Sequence, residues 1–384
     1  MHVAFVNENT LGHSSYLRPF VHEFERRPEL GVQPHWLDAT PLPASSARWA
    51  NVSVRGLRKF GLDFQIARWR LLVSAHVRRQ LLSLRGRQHL DAVVVNTQSV
   101  GLALASLAPE LPVFVCLDAT FHQLARSRWF APNRASKWLH PLTLYPLRGR
   151  ERRLFNAASG LLPWSAVAAA SLREHYGIGS NRIVKIPPSI DLPPQRVFPE
   201  RPNIRPQILF VGGDLVRKGG PLLLECFRRW FSSSCELHLV TESAVPSTPG
   251  VVVHRGLKPH SAGWLARWTE ADLFVFPSTL ETFGIVLVEA LAFEVPVVSA
   301  DVGAAREILA NGQAGLLLGE VTLETLRTAI EKLLGDKVAA RQLAERGRLQ
   351  VQQRFNLPAN SELLAQTLRS ASNPESGSDL LPVR

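Results

Sequence analysis

The sequence predicts an α/β protein built from two doubly wound, mostly parallel sheets. Apolar runs of strand length alternate with segments of helical spacing along most of the chain, which is typical of parallel strands joined by crossover helices. A strand, a glycine-bearing loop and a helix open the chain near residues 2–27, and the same order recurs near residues 207–230. The chain has 384 residues, and single hydrophobic cores stop growing at about 250–300 residues. We therefore expect two domains.

The first domain is predicted to cover residues 1–192. Residues 2–6 have the pattern of a buried strand and residues 15–27 that of a helix, and the loop between them contains Gly12 and His13. Ligands of open parallel sheets lie beyond the carboxyl ends of the strands. Gly12 is therefore a candidate binding residue, although an ordinary tight turn explains a single glycine equally well.

Polar residues also follow two later strands of this domain. The strand within residues 91–98 ends in Asn and Thr, and the strand that starts at residue 111 ends at Asp118, with His122 four residues later. Because strand ends gather at one edge of a parallel sheet, Asp118 and His122 are candidates for contact with a substrate.

The positive charge of the chain is concentrated in its first half. Residues 1–200 contain 25 Lys and Arg against 13 Asp and Glu, whereas the net charge of the whole chain is +12. Two stretches are especially basic, residues 55–87 with Asp63 as their one acid and residues 126–153 with Glu151 as theirs. This asymmetry favours an anionic partner for the first domain.

Residues 48–87 have the pattern of a basic amphipathic helix. Apolar side chains recur at helical spacing, with arginines among them. Such a face is either simply solvated or lies against anionic lipid headgroups, and the sequence leaves both open. The arginines in question are Arg68, Arg70, Arg78 and Arg79.

A proline-rich segment, residues 193–206, is predicted to link the two domains, because each proline fixes φ and cannot continue a hydrogen-bonded ladder. The second domain is expected over residues 207–355. Residues 356–370 read as a last helix, and the Ser-, Pro- and Gly-rich residues 371–384 as a disordered tail.

The second domain opens with a glycine loop suited to a diphosphate. Gly212 and Gly213 follow the strand, and Arg217 and Lys218 precede the next helix. Fixed cations and backbone N–H groups at a helix start stabilise phosphate charge. Two surface cations in a turn are the alternative explanation. The spacing matches neither a P-loop nor the three-glycine dinucleotide fingerprint.

Two carboxylates mark the most informative stretch, residues 274–291. Glu281 is predicted in a turn after a buried strand, and Glu289 lies within an apolar helix, where a carboxylate needs a partner. The backbone N–H groups of Phe283, Gly284 and Ile285 stand at the start of that helix, where anions bind readily.

This Glu-x7-Glu element resembles the donor site of glycosyltransferase family 4, the group 1 glycosyl transferases. It is preceded by Pro277-Ser278 and followed by residues 296–303, which also fit the family pattern. The resemblance implies the GT-B fold, with two Rossmann-like domains facing a cleft and a C-terminal helix crossing back to the first domain. Its specific motifs lie in residues 207–318.

The resemblance also implies roles for individual residues. Glu289 would hold the ribose hydroxyls of a nucleotide-diphosphate sugar, UDP- or GDP-linked, and Glu281 would contact the transferred sugar. Lys258 lies where the base is usually received. The family usually has Arg in place of Gly213, a function that Arg217 would take over, and a histidine in place of Asp118, which leaves open whether Asp118 or His122 meets the acceptor.

The chemistry implied is that of a retaining hexosyltransferase with an anionic or lipid-linked acceptor. The sequence contains no Asp-x-Asp pair, so we expect no metal and no other cofactor, with Arg217 and Lys218 stabilising the departing diphosphate. The alternatives are a catalytically weak scaffold of the same fold and a basic nucleic-acid-binding protein. The latter lacks any recognition motif, so no nucleic acid is expected as partner.

Composition bears on where the protein works. The chain has three cysteines without disulfide or metal-type spacing, which favours a reducing compartment. No apolar run approaches the roughly 20 residues of a membrane-spanning helix. We expect a cytoplasmic protein, with attachment to the inner face of the cytoplasmic membrane left open by the basic stretches.

Overall fold

The computed structural model describes residues 1–9, 13, 15–52, 64–126, 134–196 and 205–372. The chain divides into two compact units. Unit 1 comprises residues 1–189 together with the described residues from 357 onward, and unit 2 comprises residues 190–356. Each unit contains one parallel sheet, which confirms the predicted α/β class.

Unit 1 contains a five-stranded parallel sheet in the order β2-β1-β3-β4-β5. Its central strands are apolar because both faces of the sheet are covered, as Phe5, Val94 and Phe114 illustrate with no exposed surface. The strands are β1 (His2–Asn7), β2 (Gln33–Asp38), β3 (Ala92–Asn96), β4 (Val113–Leu117) and β5 (Gly160–Pro163).

The α-helices of unit 1 follow these strands and pack on the sheet. They are α1 (Leu17–Arg26), α2 (Ala44–Asn51), α3 (Gln65–Arg85), α4 (Gln98–Gly101), α5 (Phe121–Arg126), α6 (Arg134–Ala157), α7 (Ala166–Tyr176) and, from the end of the chain, α14 (Leu357–Ser372).

Strand β2 has no clear signal in the sequence. It pairs in parallel with β1, so that Val3 lies opposite Pro34. Gln33 is exposed and the other residues of β2 are half-buried, so the strand lacks the apolar run that marks its neighbours. Its position at the edge of the sheet accounts for this composition and for the tolerated proline.

The last helix, α14, belongs to unit 1, as predicted. It packs beside α1, where Arg27 donates to Glu362 at 2.8 Å and Arg369 donates to the carbonyl of Leu30 at 2.6 Å. The chain thus returns to the unit in which it started.

Unit 2 contains a six-stranded parallel sheet in the order β11-β10-β9-β6-β7-β8. Strands β6 and β9 are neighbours at its centre, with Ile208 opposite Leu273. The strands are β6 (Gln207–Val211), β7 (Glu236–Val240), β8 (Val251–His254), β9 (Leu273–Phe276), β10 (Val297–Ala300) and β11 (Leu316–Leu318).

Aromatic side chains fill part of the core of unit 2. Trp268 is fully buried and its ring centroid lies 5.1 Å from that of Phe274 on β9. The helices that cover the sheet are α8 (Gly220–Trp230), α9 (Ala262–Glu270), α10 (Ile285–Ala292), α11 (Ala305–Ile308), α12 (Leu323–Gly335) and α13 (Lys337–Arg354). Within the described ranges, no helix is both long and apolar enough to cross a bilayer.

The start of the predicted linker is held by unit 2. Arg348 donates to the carbonyl of Pro193 at 2.8 Å, and Arg196 donates to the carbonyl of Ala271 at 2.6 Å. The backbone N–H of Arg196 also donates to the buried carboxylate of Glu294 at 3.0 Å. The boundary between the units lies at residues 189 and 190, just before this segment.

Candidate active site

The two loops predicted to hold a donor come together because their strands are neighbours. The loop after β6 carries residues 212–219, and the loop after β9 carries residues 277–284. Since β6 and β9 pair in parallel, both loops leave the same edge of the sheet. The backbone N–H of Thr279 donates to the carbonyl of Arg217 at 3.1 Å, which joins the loops directly.

An ionic cluster of three side chains lies where these loops meet. Lys218 Nζ and Glu281 Oε2 form a close ion pair, and Arg217 Nη1 lies 3.8 Å from the same carboxylate oxygen. Arg217 Nη1 also donates to the carbonyl of Leu280 at 3.0 Å. The three charged side chains are only 12–17 % exposed, so the charges interact more strongly than in bulk water. The structure therefore brings Glu281 beside Lys218, which lies 63 positions earlier in the sequence.

Two glycines allow the backbone to approach closely at this point. A Cβ atom on Gly219 would lie 2.0 Å from the carbonyl oxygen of Pro277, and one on Gly303 would lie 2.4 Å from that of Glu281. Both glycines have positive φ, +78° and +57°, which other residues rarely adopt. The geometry of the cluster thus depends on the absence of side chains at these two positions.

The turn before α10 presents backbone amides beside the cluster. Gly284 precedes the helix with φ +94°, Ile285 begins it, and Phe283 is buried beneath the turn. The N–H groups of a first helical turn lack acceptors within the helix, and the helix dipole adds partial positive charge there. This turn is suited to the negative oxygen atoms of a ligand.

Glu289 lies one turn into α10 and is partly buried. Burial raises the pKa of its carboxyl to about 8, while the nearby charge of Lys218 acts in the opposite direction. The carboxyl is therefore mainly protonated at neutral pH. In the described part of the chain, no side chain or backbone group is seen to form a hydrogen bond with it.

The other residues predicted to bind the sugar donor lie in different places. A Cβ atom on Gly212 would lie 3.0 Å from Cγ of Lys218, whereas one on Gly213 would meet open space. Lys258 is exposed in the loop after the edge strand β8, and no recorded contact among the described residues joins it to the ionic cluster. Gly213 shares its loop with Arg217 and Lys218, whereas Lys258 lies in a different loop.

In unit 1, Asp118 and His122 occupy different surroundings. Asp118 follows β4, and its Oδ2 lies 3.6 Å from Nε2 of His13. The ring of His122 stacks on that of His175 at 3.7 Å, and its Nδ1 lies 3.2 Å from Nη2 of Arg148. The other candidate of this unit, Gly12, lies outside the described residues.

Sequence reasoning missed a buried carboxylate that contacts the segment after Asp118. Glu151 on α6 accepts hydrogen bonds from the backbone N–H of Phe121 at 2.8 Å, from Gln98 at 3.2 Å and from the hydroxyl of Tyr176. Burial raises the pKa of Glu151 to about 7, although these donors and Arg70 oppose the shift. Its one signal in the sequence is that it is the single acid in a basic stretch. Glu151 anchors the segment that follows Asp118.

Arg70 was predicted to share an outward basic face with Arg68, Arg78 and Arg79, and this is wrong for Arg70. Its guanidinium lies 4.3 Å from the ring centroid of Phe121, and burial lowers its pKa. Arg68 also has a partner within the protein, since its Nε donates to the carbonyl of Trp49 at 2.9 Å. The helical period alone did not reveal that α3 turns this arginine toward the carboxylates of unit 1.

Comparison with known proteins identifies relatives of this chain in sequence. The sequence model of the family described as "Glycosyl transferases group 1" matches residues 265–350, which confirms the resemblance seen in the sequence. The capsular polysaccharide biosynthesis glycosyltransferase CapM of Staphylococcus aureus is 26% identical over 178 residues, or 43% of this chain and 45% of CapM. The chain spans about half the length of these curated relatives.

Solved structures resemble the whole chain. Sucrose-phosphate synthase from Thermosynechococcus elongatus matches with a TM-score of 0.70 and 18% identity, over 98% of this chain and 100% of that one. HepE of Anabaena, in complex with UDP-glucose, matches with a TM-score of 0.65 and 15% identity, over 96% and 100%. The fold is therefore GT-B, as the sequence predicted.

Proposed function

We propose that this chain, whose residues 265–350 match the group 1 glycosyl transferases, is a retaining hexosyltransferase that moves a sugar from a nucleotide-diphosphate sugar to an acceptor hydroxyl. The observation that carries the proposal is the half-buried cluster of Lys218, Arg217 and Glu281 beside the protonated carboxyl of Glu289. Cations, helix-start amides and a neutral hydroxyl-binding group within one site match the parts of such a donor.

The donor would fit the site in a defined order. The diphosphate would lie against Lys218 and Arg217, where it would share these cations with Glu281. The ribose hydroxyls would reach Glu289, and the transferred sugar would lie near Glu281 and the turn at Gly284. HepE, whose fold is similar, is known in complex with UDP-glucose, which supports a nucleoside diphosphate sugar as the donor class.

Departure of the diphosphate is the step that needs most stabilisation. Negative charge grows on the leaving oxygen as its bond to the sugar breaks, and preoriented cations lower the energy of that transition state. Two contacts orient the ammonium group of Lys218. It forms an ion pair with Glu281, and its Nζ lies 4.8 Å from the ring centroid of Phe276. Retention of configuration would follow if the acceptor hydroxyl attacked the sugar on the same face that the diphosphate leaves. A diphosphate oxygen would accept the proton of that hydroxyl.

The acceptor would be anionic or lipid-linked. Residues 1–200, most of which belong to unit 1, contain 25 Lys and Arg against 13 Asp and Glu. Asp118 and His122 lie at the carboxyl edge of the sheet of this unit. Opposite charge speeds and orients the encounter of a charged substrate. An anionic surface at the inner face of the cytoplasmic membrane is one place where such an acceptor would be met.

A thermal-shift panel of nucleotides and sugar nucleotides tests the donor assignment. Nucleoside diphosphates and their sugars should raise the melting temperature, because a ligand at about 100 times its Kd stabilises the folded protein by about 2.7 kcal/mol. Monophosphates should stabilise less, since they place less charge at Lys218 and Arg217. A protein that responds to no nucleoside diphosphate would not be the transferase proposed here.

Transfer should survive treatment with EDTA. With charge on the diphosphate stabilised by Lys218, Arg217 and backbone amides, we expect the same rate before and after chelation, measured as release of nucleoside diphosphate. The sample should be dialysed afterwards and supplied with Mg²⁺ or Mn²⁺ in a parallel assay. Activity that disappears with EDTA and returns with either ion would show that the proposed electrostatic role of the side chains is wrong.

A further inference from the structure

Unit 1 contains a groove that the transferase chemistry does not use. It lies between α3, the segment after α4 and the C-terminal half of α6, and its volume is about 730 Å³. This volume lies within the range of about 300–1,000 Å³ that is common for small-ligand sites. None of its lining residues belongs to the ionic cluster of unit 2 or to the surroundings of Asp118 and His122. The lining residues are Arg78, Leu102, Ala103, Ala105, Ser106, Arg150, Arg153, Asn156 and Ala157.

Three arginines line this groove, and its lining contains no carboxylate. Arg150 and Arg153 are exposed on α6, three residues apart, where like charges on a helix repel each other. Arg78 Nε donates to the hydroxyl of Ser106 at 3.0 Å, which holds its guanidinium at the rim. Within the described residues, no ion pair is recorded for any of these three arginines.

The neighbouring arginines of α6 behave differently. Arg148 approaches Nδ1 of His122, and Arg152 donates to the carbonyl of His175 at 3.1 Å. Glu151 between them points into the core. The helix therefore directs two of its arginines to partners within the protein and leaves Arg150 and Arg153 facing the groove.

Part of the lining of the groove is apolar, namely Leu102, Ala103 and Ala105, and this part is called its floor. On α3, Leu82 is 40% exposed one turn after Arg78. A ligand with a compact anionic group and an adjoining apolar part would satisfy both features. Guanidinium groups bind phosphate in a bidentate manner, with two parallel N–H···O hydrogen bonds.

We propose that this groove is a second binding site of the protein, specific for a phosphate group carried by a small or amphiphilic ligand. The phosphate lies between Arg78, Arg150 and Arg153, and the carbon skeleton attached to it rests on the floor. The site is independent of the donor site. A membrane phospholipid headgroup and a soluble phosphate ester present the same chemistry, and the experiment below separates them.

The variant to test is Arg150→Gln combined with Arg153→Gln. Its matched control is Arg87→Gln combined with Arg173→Gln, which removes the same charge from exposed positions of unit 1 outside the groove. Both pairs lie on exposed helix surfaces or ends, so circular dichroism should show unchanged folding. If the α6 pair fails to fold, Arg78→Gln tests the same groove from α3.

One arm of the experiment measures sedimentation with phosphatidylglycerol vesicles and with phosphatidylcholine vesicles. The other measures the thermal shift caused by inorganic phosphate and by glycerol 3-phosphate. Because each basic residue near an anionic surface contributes about fivefold to binding, the α6 pair should weaken binding about 25-fold and the control pair much less. The affinity should also fall between 0.1 M and 1 M salt.

Each outcome decides the proposal. Loss of binding to phosphatidylglycerol vesicles in the α6 variant alone identifies a lipid headgroup as the source of the phosphate. Loss of the thermal shift with soluble phosphates, without vesicle binding, identifies a soluble ester. Equal behaviour of the α6 and control variants, or no response of the wild-type protein to any phosphate, overturns the site. No arm requires transfer activity, so this result is separate from the fate of the proposed function.

Discussion

Replacement of Lys218 by alanine or methionine should lower kcat by about a hundredfold or more, because removing one group that stabilises transition-state charge costs about 10²–10³ in rate. The ion pair with Glu281 places the Lys218 ammonium where the departing diphosphate would gain charge. Since that charge is greatest in the transition state, kcat should fall more than the affinity for the donor. The measurement is steady-state release of nucleoside diphosphate from the donor identified by thermal shift.

Two comparisons separate this effect from a loss of packing. Lys218→Met keeps an unbranched apolar side chain beside Gly212 and Phe276, so its stability should stay close to that of the wild type. Arg327→Ala breaks an ion pair of similar kind with Glu331 at 2.8 Å, exposed on α12 and outside the ionic cluster, and should leave kcat unchanged. Wild-type turnover in Lys218→Met with a confirmed donor would show that the cluster is not the catalytic site.

Replacement of Glu289 by alanine should weaken donor binding by about 10- to 100-fold. The carboxyl would make hydrogen bonds to the two ribose hydroxyls, and each such bond contributes about 0.5–1.5 kcal/mol. Glu289→Gln keeps the shape and neutrality of the protonated acid and should lose less. Isothermal titration with the donor measures the difference, and equal affinities for all three proteins would remove Glu289 from the donor site.

Glu289 should also give the protein a distinctive dependence of stability on pH. Its pKa is about 8 in the folded protein and 4.5 in the reference state, so the folded chain retains a proton that the unfolded chain loses. This contribution is fully present below pH 4.5 and is lost as the pH rises toward 8, by at most about 1.4 kcal/mol per pH unit.

Urea unfolding at several pH values between 5 and 8 measures that dependence. The free energy of unfolding of the wild type should decline relative to that of Glu289→Gln as the pH rises, because glutamine cannot ionise. Bound donor should stabilise the two proteins to different extents across the same range. Parallel curves for wild type and variant would mean that the carboxyl of Glu289 titrates in the folded protein as it does in the unfolded chain.

The fold could be predicted from the sequence where local signals are strong. Buried central strands such as β3 and β9 are continuous apolar runs, because helices cover both faces of each sheet. Strand β2 could not be predicted in this way, since its residues are half-buried at a sheet edge and its pairing with β1 is a long-range contact. The pattern of α3 identified a basic amphipathic helix but not which arginines face inward.

Local sequence patterns were enough to predict the two strand, loop and helix units and the residue types at their strand ends. The spacing of Glu281 and Glu289 on a turn and a helix is likewise local information. Which of these residues meet depends instead on long-range packing. Lys218 pairs with Glu281 because β6 and β9, far apart in the chain, are adjacent strands, and because Gly219 and Gly303 let their loops pack backbone against backbone. Glu151 beneath the loop after Asp118, and Arg150 and Arg153 around the groove, follow from helix packing on the sheet, which depends on contacts between distant residues and leaves little trace in local sequence.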